Sequence, residues 1–321
     1  MITLEEVSME PSALIYSSHD RCNLIHNDWI VQRALRGNRR ILYLPFSEGV
    51  TNDGNIVERQ EYGWSKFRFF FNYYQSFGLE PSTFFWSDDL KRSDIDVLYH
   101  SLAHDEVVIL GGGNPSTGLE RYKATGALFY QDPDSFEKTL KWRQERGMLT
   151  VGFSAGVDQL CQFFHGAGEY DIPDPHGFGL CRNIIAASHF DSGREDSLKR
   201  TAARFPTCFV FGFPNDSGLA LYQGGLPSGN MWQVIEMIID NSWHWPRDQH
   251  HIKTRHGMKI QHVYPDGRHW GFNGGDRLVR IQSLDGQYNE SFVVPPFGPI
   301  RDYWTQNDTG YHSIGQILET H

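Results

Sequence analysis

The sequence predicts an α/β fold in which a mostly parallel β-sheet is covered by helices on both faces. Short apolar runs alternate with longer amphipathic segments over the first two thirds of the chain. A G-x-S-x-G pentapeptide ends one apolar run, and a Gly-Gly-Gly-Asn sequence follows another. Ligands bind beyond the carboxyl ends of the strands in such sheets. We therefore expect these two loops to meet at one edge of the sheet.

The first elements follow β-α-β order. Residues 13–16 and 40–45 read as buried strands, and apolar residues at near-helical spacing predict a helix over 24–35. A second helical segment, 62–77, is dense in aromatic residues, which form a core or an interface more often than a ligand site. Residues 82–86 can follow it as a strand.

The same alternation continues towards the pentapeptide. A helix is predicted over 88–102, a strand over 106–110, and a strongly charged helix over 133–146, whose Pro-Asp-Ser start fits an N-terminus. The apolar run that enters the pentapeptide is the next strand. Strands that alternate with helices in this way form a mostly parallel sheet, in which the crossover connections are right-handed.

Composition indicates one large domain or a domain with a smaller appendage. The 321 residues are 39% hydrophobic and 14% aromatic, which is enough for a sizeable core. The four cysteines form no C-x-x-C pair, so the sequence predicts neither a disulfide framework nor a structural zinc site and favours a reducing cytosol. We expect a cytoplasmic protein, because no signal-peptide pattern and no apolar run of about 18 residues is present.

Gly152-Phe-Ser-Ala-Gly156 has the form of a nucleophile elbow, in which a strand turns sharply into a helix and exposes the central side chain. Glycines relieve the crowding at such a turn. Ser154 is therefore the candidate nucleophile. The motif alone is equally compatible with an ordinary strand-to-helix turn, so the residues around it must distinguish a nucleophile from a simple turn.

The loop Gly111-Gly-Gly-Asn114 offers backbone N–H groups with little side-chain bulk. One interpretation is an oxyanion hole, with N–H donors from Ala155 and from a glycine of this loop. A phosphate cradle is less favoured, because neither a G-x-x-x-x-G-K-[ST] sequence nor a suitable G-x-G-x-x-G sequence is present. A tight strand-to-helix connection is the third interpretation.

A serine nucleophile needs a general base, because its hydroxyl is almost wholly protonated at neutral pH. Among the 15 histidines, His189 follows the apolar run 183–188 and precedes a helix-like segment. This places it at a strand's carboxyl end, on the edge predicted for Ser154, and a hydrogen bond of about 2.6–3.2 Å is expected between them. His165 and His176 are closer in sequence but lie in loop-like surroundings.

In order and approximate spacing, these motifs resemble the aspartyl dipeptidase (peptidase E) and cyanophycinase family of serine peptidases. The resemblance covers roughly residues 11 to 225 and implies a fold similar to class I glutamine amidotransferases, with Ser in place of Cys. The matching pieces are the Gly-Gly-Gly-Asn loop, the Gly-x-Ser-Ala-Gly elbow, Asp174-Pro-His-Gly-Phe178, Ser188-His-Phe190 and Gly212-Phe-Pro-Asn-Asp-Ser-Gly218.

Position by position, the resemblance implies that Ser154 is the nucleophile and His189 the base. It implies that the N–H groups of Gly113 and Ala155 are the oxyanion donors. The third triad member of the dipeptidases is an acidic residue shortly before the Asp-Pro-x-Gly-Phe stretch, and Glu169 occupies that place. Asp171 and Asp174 compete with Glu169 for this role.

The resemblance also implies a cation that faces a substrate carboxylate. Arg194 resembles the family's arginine, and its planar fork suits a carboxylate, with Lys199 and Arg200 as alternatives. Asn114 and Asp174 are the other candidate substrate-binding residues. Two departures from the family pattern suggest a changed pocket: only four residues separate His189 from Arg194, and Pro214-Asn215 stands where Pro-Glu is common.

Residues 226–321 lie outside the resemblance. The apolar run 231–239 predicts a short helix, and Pro265-Asp-Gly267 and Asp285-Gly286 predict the turns of two hairpins. We expect an α/β peptidase core over 1–225 and a β-rich extension over 226–321. The sequence does not choose among an edge extension, a lid over the site and a homodimer surface.

The function implied by the resemblance is that of a serine peptidase that hydrolyses small aspartyl peptides, such as Asp-X dipeptides, through an acyl-enzyme. A cyanophycinase-type exopeptidase acting on β-Asp-Arg linkages is the alternative within this class. A non-catalytic binding module is the alternative from another class. The expected partner is a small peptide substrate, and the net charge of −10 argues against nucleic acid. No cofactor is expected, and no H-E-x-x-H or comparable spacing indicates a metal.

Overall fold

The computed structural model describes residues 10–17, 23–49, 56–168, 174–240, 258–283 and 288–321. The strands, numbered along the chain, are β1 (Ala13–Tyr16), β2 (Arg40–Leu44), β3 (Glu80–Thr83), β4 (Val107–Leu110), β5 (Leu149–Phe153), β6 (Ile184–Ala187), β7 (Phe209–Gly212), β8 (Ser217–Gly225), β9 (Met231–Ile239), β10 (Ile260–Val263), β11 (His269–Phe272), β12 (Arg277–Gln282), β13 (Asn289–Val294) and β14 (Arg301–Asp302). The helices are α1 (Gln32–Arg36), α2 (Ile56–Asn72), α3 (Arg92–His104), α4 (Pro115–Tyr130), α5 (Ser135–Glu145), α6 (Ala155–Leu160), α7 (Glu195–Arg204) and α8 (Ile314–Thr320), and a π-helical stretch over Ile25–Val31 leads into α1.

The main sheet has a parallel half and an antiparallel half. Strands β1, β5, β4, β2 and β3 pair in parallel, in that order across the sheet. Their carboxyl ends therefore meet at one edge, as in other doubly covered parallel sheets. The predicted α/β fold class, with helices on both faces and a β-rich C-terminal region, is confirmed.

Alternate residues of the parallel strands feed two separate cores. In β1, Ala13 and Ile15 belong to the cluster that packs against α3, α4, α5 and α6. Leu14 and Tyr16 belong to the cluster that packs against α1 and α2 on the opposite face. This is the period-2 alternation of a strand that is buried on both sides. Within the described ranges, no helix is long and apolar enough to cross a membrane.

The antiparallel half is built mostly from the C-terminal region. Strand β8 pairs antiparallel with β1, and β9, β12, β13 and β14 continue the sheet beyond it. The helix predicted over 231–239 is wrong, because Met231–Ile239 is the strand β9, which pairs with β8 along its whole length. The run contains β-branched Val and Ile residues that suit a strand as well as a helix, and only the long-range pairing decides between the two.

A second sheet has the order β11-β10-β7-β6 and packs with α7. The hairpin predicted around Pro265-Asp-Gly267 is present as β10 and β11. The turn predicted at Asp285-Gly286 lies outside the described residues, although the flanking strands β12 and β13 pair antiparallel. Residues 226–321 thus add strands to both sheets of the molecule.

Candidate active site

The pentapeptide forms a sharp turn between β5 and α6. Ser154 is the residue between the two elements, with φ 52° and ψ −111°, a conformation that residues with a Cβ rarely adopt. A Cβ on Gly152 would lie 2.3 Å from the carbonyl oxygen of Gly156, and a Cβ on Gly156 would lie 2.4 Å from that of Leu110. Both glycines are therefore required by close backbone approach, and the turn exposes part of the Ser154 side chain.

His189 lies just beyond the carboxyl end of β6, with φ 52°. The next residue is fixed to the neighbouring strand end, because the Phe190 N–H donates to the carbonyl oxygen of Phe213 at 2.7 Å. Ser154 Oγ and His189 Nε2 are 3.0 Å apart. This is hydrogen-bond distance, within the range that a nucleophile and its base require.

The other ring nitrogen of His189 contacts an amide. His189 Nδ1 lies 2.7 Å from Asn215 Oδ1, so Nδ1–H donates to the amide oxygen and Nε2 is left free to accept the Ser154 hydroxyl proton. The loop that carries Asn215 is anchored by its neighbour Pro214, whose carbonyl oxygen accepts hydrogen bonds from the hydroxyls of Ser17 and Ser217, both at 2.7 Å. In the sequence, Pro214-Asn215 stands out only as a departure from Pro-Glu. The signal for its role is that Asn215 follows β7, which pairs with the strand preceding His189.

Of the acidic candidates for the third position, Glu169 and Asp171 lie outside the described residues. Asp174 is described, and its hydrogen-bond partners are residues other than Ser154 and His189. Its carboxylate accepts hydrogen bonds from Lys123 Nζ and His176 Nδ1, both at 3.0 Å, and these bonds lower its pKa to about 2. It lines a groove of about 640 Å³, bordered by α4 and α5, whose lining residues do not include Ser154 or His189.

The glycine loop runs beside the nucleophile. A Cβ on Gly112 would lie 3.4 Å from the Cβ of Ser154. Gly113 has φ 125°, and a Cβ there would lie 2.0 Å from the carbonyl oxygen of Ser47, so only glycine fits. Ala155 is the first residue of α6, and its N–H has no acceptor within the helix. The loop and the start of the helix thus bring backbone donors to the side of Ser154.

Two further candidates form contacts with the backbone. Asn114 is the N-cap of α4, and its Oδ1 accepts the N–H of Thr117 at 3.0 Å. Arg194 Nη1 donates to the carbonyl oxygens of Ser188 at 3.1 Å and His189 at 3.3 Å, so the guanidinium lies against the chain that carries the base. Of the alternatives to Arg194, Lys199 pairs with Asp196 on the surface of α7 at 3.5 Å.

Asp158 is an acidic residue near the elbow in sequence that no motif singles out. It lies four residues after Ser154, in α6, and its Oδ1 accepts the backbone N–H of His165 at 2.8 Å. Burial raises its pKa to about 7, while the His165 hydrogen bond and the charge of Arg194 act in the opposite direction. In the part of the chain that the structure describes, no group of three or more His, Cys, Asp or Glu residues could hold a metal.

Comparisons with known proteins point to peptidases. No protein-family model matches the chain. Over 135 residues the chain is 25% identical to peptidase E of Salmonella arizonae and 27% identical to peptidase E of Citrobacter koseri, matches that cover 39% of this chain and 55% of each relative. The chain therefore spans about half the length of the curated relatives it matches. Among solved structures, the fold is similar to that of a peptidase from an acI-B1 Actinobacterium, with a TM-score of 0.51, 15% identity and coverage of 82% of this chain and 98% of the other.

Proposed function

We propose that this protein is a serine peptidase that hydrolyses small aspartyl peptides through an acyl-enzyme. The observation that carries the proposal is the 3.0 Å contact between Ser154 Oγ and His189 Nε2 at a strained strand-to-helix turn. Backbone strain of this kind persists where the surrounding structure enforces it and is concentrated at functional sites. The partial similarity to peptidase E supports the same reaction class.

In the acylation step, Ser154 Oγ attacks the carbonyl carbon of the scissile peptide bond while His189 Nε2 takes the hydroxyl proton. The negative charge that develops on the carbonyl oxygen is stabilised by the N–H groups of Gly113 and Ala155. Collapse of the tetrahedral intermediate breaks the C–N bond, and the protonated His189 gives its proton to the departing amine. Water then attacks the ester, again with His189 as the base, and releases the acid and free Ser154.

Asn215 is the positioning residue of this site. Its amide oxygen holds the proton on Nδ1 of His189, which leaves Nε2 unprotonated and directed at Ser154. A neutral amide orients the ring as a carboxylate does, but it gives less electrostatic stabilisation to the imidazolium that forms during attack. Cysteine peptidases with a Cys-His-Asn arrangement show that an amide is compatible with turnover.

The aspartyl preference is supported by the resemblance and by the location of Arg194. One of its terminal nitrogens is used by the carbonyl oxygens of Ser188 and His189, which leaves the rest of the fork for a substrate carboxylate beside the base. The short spacing between His189 and Arg194 also suits a cyanophycinase-type substrate. Hydrolysis of Asp-X dipeptides and of cyanophycin, measured side by side with a Leu-X dipeptide, separates these two activities.

A fluorophosphonate probe tests the mechanism without knowledge of the substrate. We expect stoichiometric labelling of Ser154, and loss of both labelling and hydrolysis in Ser154→Ala. The matched control is Ser65→Ala, which removes an exposed hydroxyl from α2 and should leave both unchanged. Failure of the probe to label Ser154, together with absence of hydrolysis, would instead favour a non-catalytic binding module.

A further inference from the structure

Exposed aromatic side chains are concentrated on α2 and the turn that follows it. Four of them, Tyr62, Phe69, Tyr73 and Phe77, form an aromatic patch whose members are between 57% and 85% exposed, with Phe69 the most exposed. Among the described residues, half of the exposed large apolar side chains lie in the segment 57–77. Single exposed apolar residues are ordinary on a protein surface, whereas an apolar patch marks an interaction site.

The rings of this region are connected to one another and to the neighbouring helix. Tyr73 lies edge-on against Tyr74, with 5.0 Å between ring centroids, and Tyr74 contacts Phe70 at 5.5 Å and Phe77 at 6.2 Å. The Tyr74 hydroxyl donates to Asn27 Oδ1 at 2.7 Å, which ties α2 to the π-helical stretch. Side chains that are already held in place lose little conformational entropy when a partner binds.

Phe69 stands between two grooves on this surface. The smaller groove, of about 500 Å³, is lined by Lys66, Phe69 and Phe70 among others. The larger groove, of about 1040 Å³, is lined by Phe69, Phe70, Tyr73 and Asp28 among others. A protruding aromatic side chain and an apolar groove thus lie next to each other. A surface that carries both is complementary to itself, which is the condition for a two-fold symmetric interface.

The charges beside the patch have opposite signs at its two ends. Lys66 lines the smaller groove and Asp28 the larger one. A two-fold axis that crosses α2 between Phe69 and Tyr73 exchanges these ends. It therefore brings Phe69 of each copy over the larger groove of the other, and Lys66 of each copy towards the other's Asp28. Opposite charges that meet at the rim of an interface fix its register.

The size of the aromatic patch also fits a second copy of the chain. An aromatic side chain buries roughly 150–250 Å² when it is fully covered, so four that are more than half exposed offer on the order of 500 Å² per copy. Two copies bury on the order of 1,000 Å² from these side chains alone. This is close to the ~1,200 Å² at which specific interfaces begin, before any neighbouring residue is counted.

We propose that the aromatic patch is the interface of a symmetric homodimer, in which Phe69 of each copy inserts into the larger groove of the other. A second copy is the occupant that the self-complementary shape, the opposite charges at the two ends and the area together favour. The interface is independent of the proposed peptidase function, because Ser154 and His189 line neither groove.

The mass of the full chain in solution tests this interface. Sedimentation equilibrium of the wild type should give twice the monomer mass of 36.9 kDa. Phe69→Glu puts a charge into the apolar groove of the other copy and should weaken association by about 100-fold, as expected for a central aromatic residue. Phe297→Glu, at a phenylalanine after β13 that is 93% exposed, is the matched control and should leave the dimer intact. Both variants should keep the wild-type melting temperature, because both side chains are exposed.

A charge exchange tests the arrangement without altering the aromatic rings. Lys66→Glu and Asp28→Lys should each weaken the dimer about 10-fold, because each places like charges together. The double variant restores opposite signs and should recover most of the wild-type affinity. Two losses that simply add in the double variant would overturn the two-fold arrangement.

The remaining outcomes also decide. A wild type that stays monomeric up to about 100 µM, or a dimer that Phe69→Glu leaves intact, would overturn the interface. A monomer that binds phosphatidylcholine–phosphatidylserine vesicles, and loses that binding in Phe69→Glu, would assign the patch to a lipid surface instead. Fluorophosphonate labelling of Ser154 should be the same in Phe69→Glu as in the wild type, so the dimer and the peptidase function succeed or fail separately.

Discussion

Two residues that face each other in the candidate site share an unfavourable backbone conformation. Ser154 and His189 both have φ 52°. A positive φ costs a residue with a Cβ of the order of 1–3 kcal/mol, and it persists only where surrounding packing enforces it. The elbow glycines and the bond from Phe190 to Phe213 provide that enforcement here. Side-chain placement at the site therefore takes precedence over local backbone preference.

At the same scale, Asn215 can be tested by exchange. Asn215→Ala removes the acceptor for the His189 Nδ1–H, so we expect kcat/KM to fall by about 10- to 1000-fold, within the contribution of a general base. Asn215→Asp should keep the ring orientation and stabilise the protonated imidazole, which moves the acid limb of the pH–rate profile to higher pH. An unchanged profile in Asn215→Asp combined with full activity of Asn215→Ala would assign the orienting role to another residue.

The residue that contacts His189 Nδ1, Asn215, also shows why the sequence predicted only part of the site. Ser154, His189 and the glycine loop are recognisable because each follows an apolar strand at a short, fixed distance. Asn215 is a common residue type, and its role depends on the parallel pairing of β6 with β7, which brings two strand ends together.

At the scale of elements, the turn from β5 to α6 is held by the packing of backbone against backbone. Gly156→Ala would place a Cβ 2.4 Å from the Leu110 carbonyl oxygen, an overlap that neither strand β4 nor helix α6 can relieve by moving a side chain. We expect a loss of about 1–3 kcal/mol in the free energy of unfolding and loss of probe labelling. Gly225→Ala at the end of β8 is the control, because nothing lies within 4 Å of its added Cβ. Equal melting temperatures for the two variants would contradict this account.

Helix α4 is one of the elements that the sequence did not indicate. It begins in the favoured manner, with Asn114 as the N-cap and Pro115 as its first residue. Two buried glycines interrupt its apolar pattern, and one of them, Gly118, would place a Cβ 2.2 Å from the side chains of Gln159 and Ser47. At Gly118, close packing against α6 leaves no room for a larger side chain. The apolar spacing from which a helix would be predicted is therefore interrupted.

For the whole molecule, the boundary expected near residue 225 can be tested by truncation. Strand β8 forms nine residue pairs with β9, and β9 in turn pairs with β12. A chain that ends at 225 would expose the long edge of β8 and lose the cover over several buried apolar residues. We expect it to aggregate or to unfold without a cooperative transition, as followed by calorimetry and circular dichroism. A soluble, cooperatively folding fragment that the fluorophosphonate probe labels would show that 226–321 is a separable appendage.

The position of β1 has a consequence for how the chain folds during synthesis. This strand is among the first described residues, yet its parallel partner is β5 and its antiparallel partner is β8. Contacts between such distant segments form slowly, because a long loop must close before any pairing occurs. Both edges of β1 therefore stay open on the ribosome until the elbow and then the β8 strand have emerged. A nascent chain of this protein therefore carries an apolar strand with two open edges until β5 has emerged, and the nucleophile elbow forms beside that strand directly afterwards.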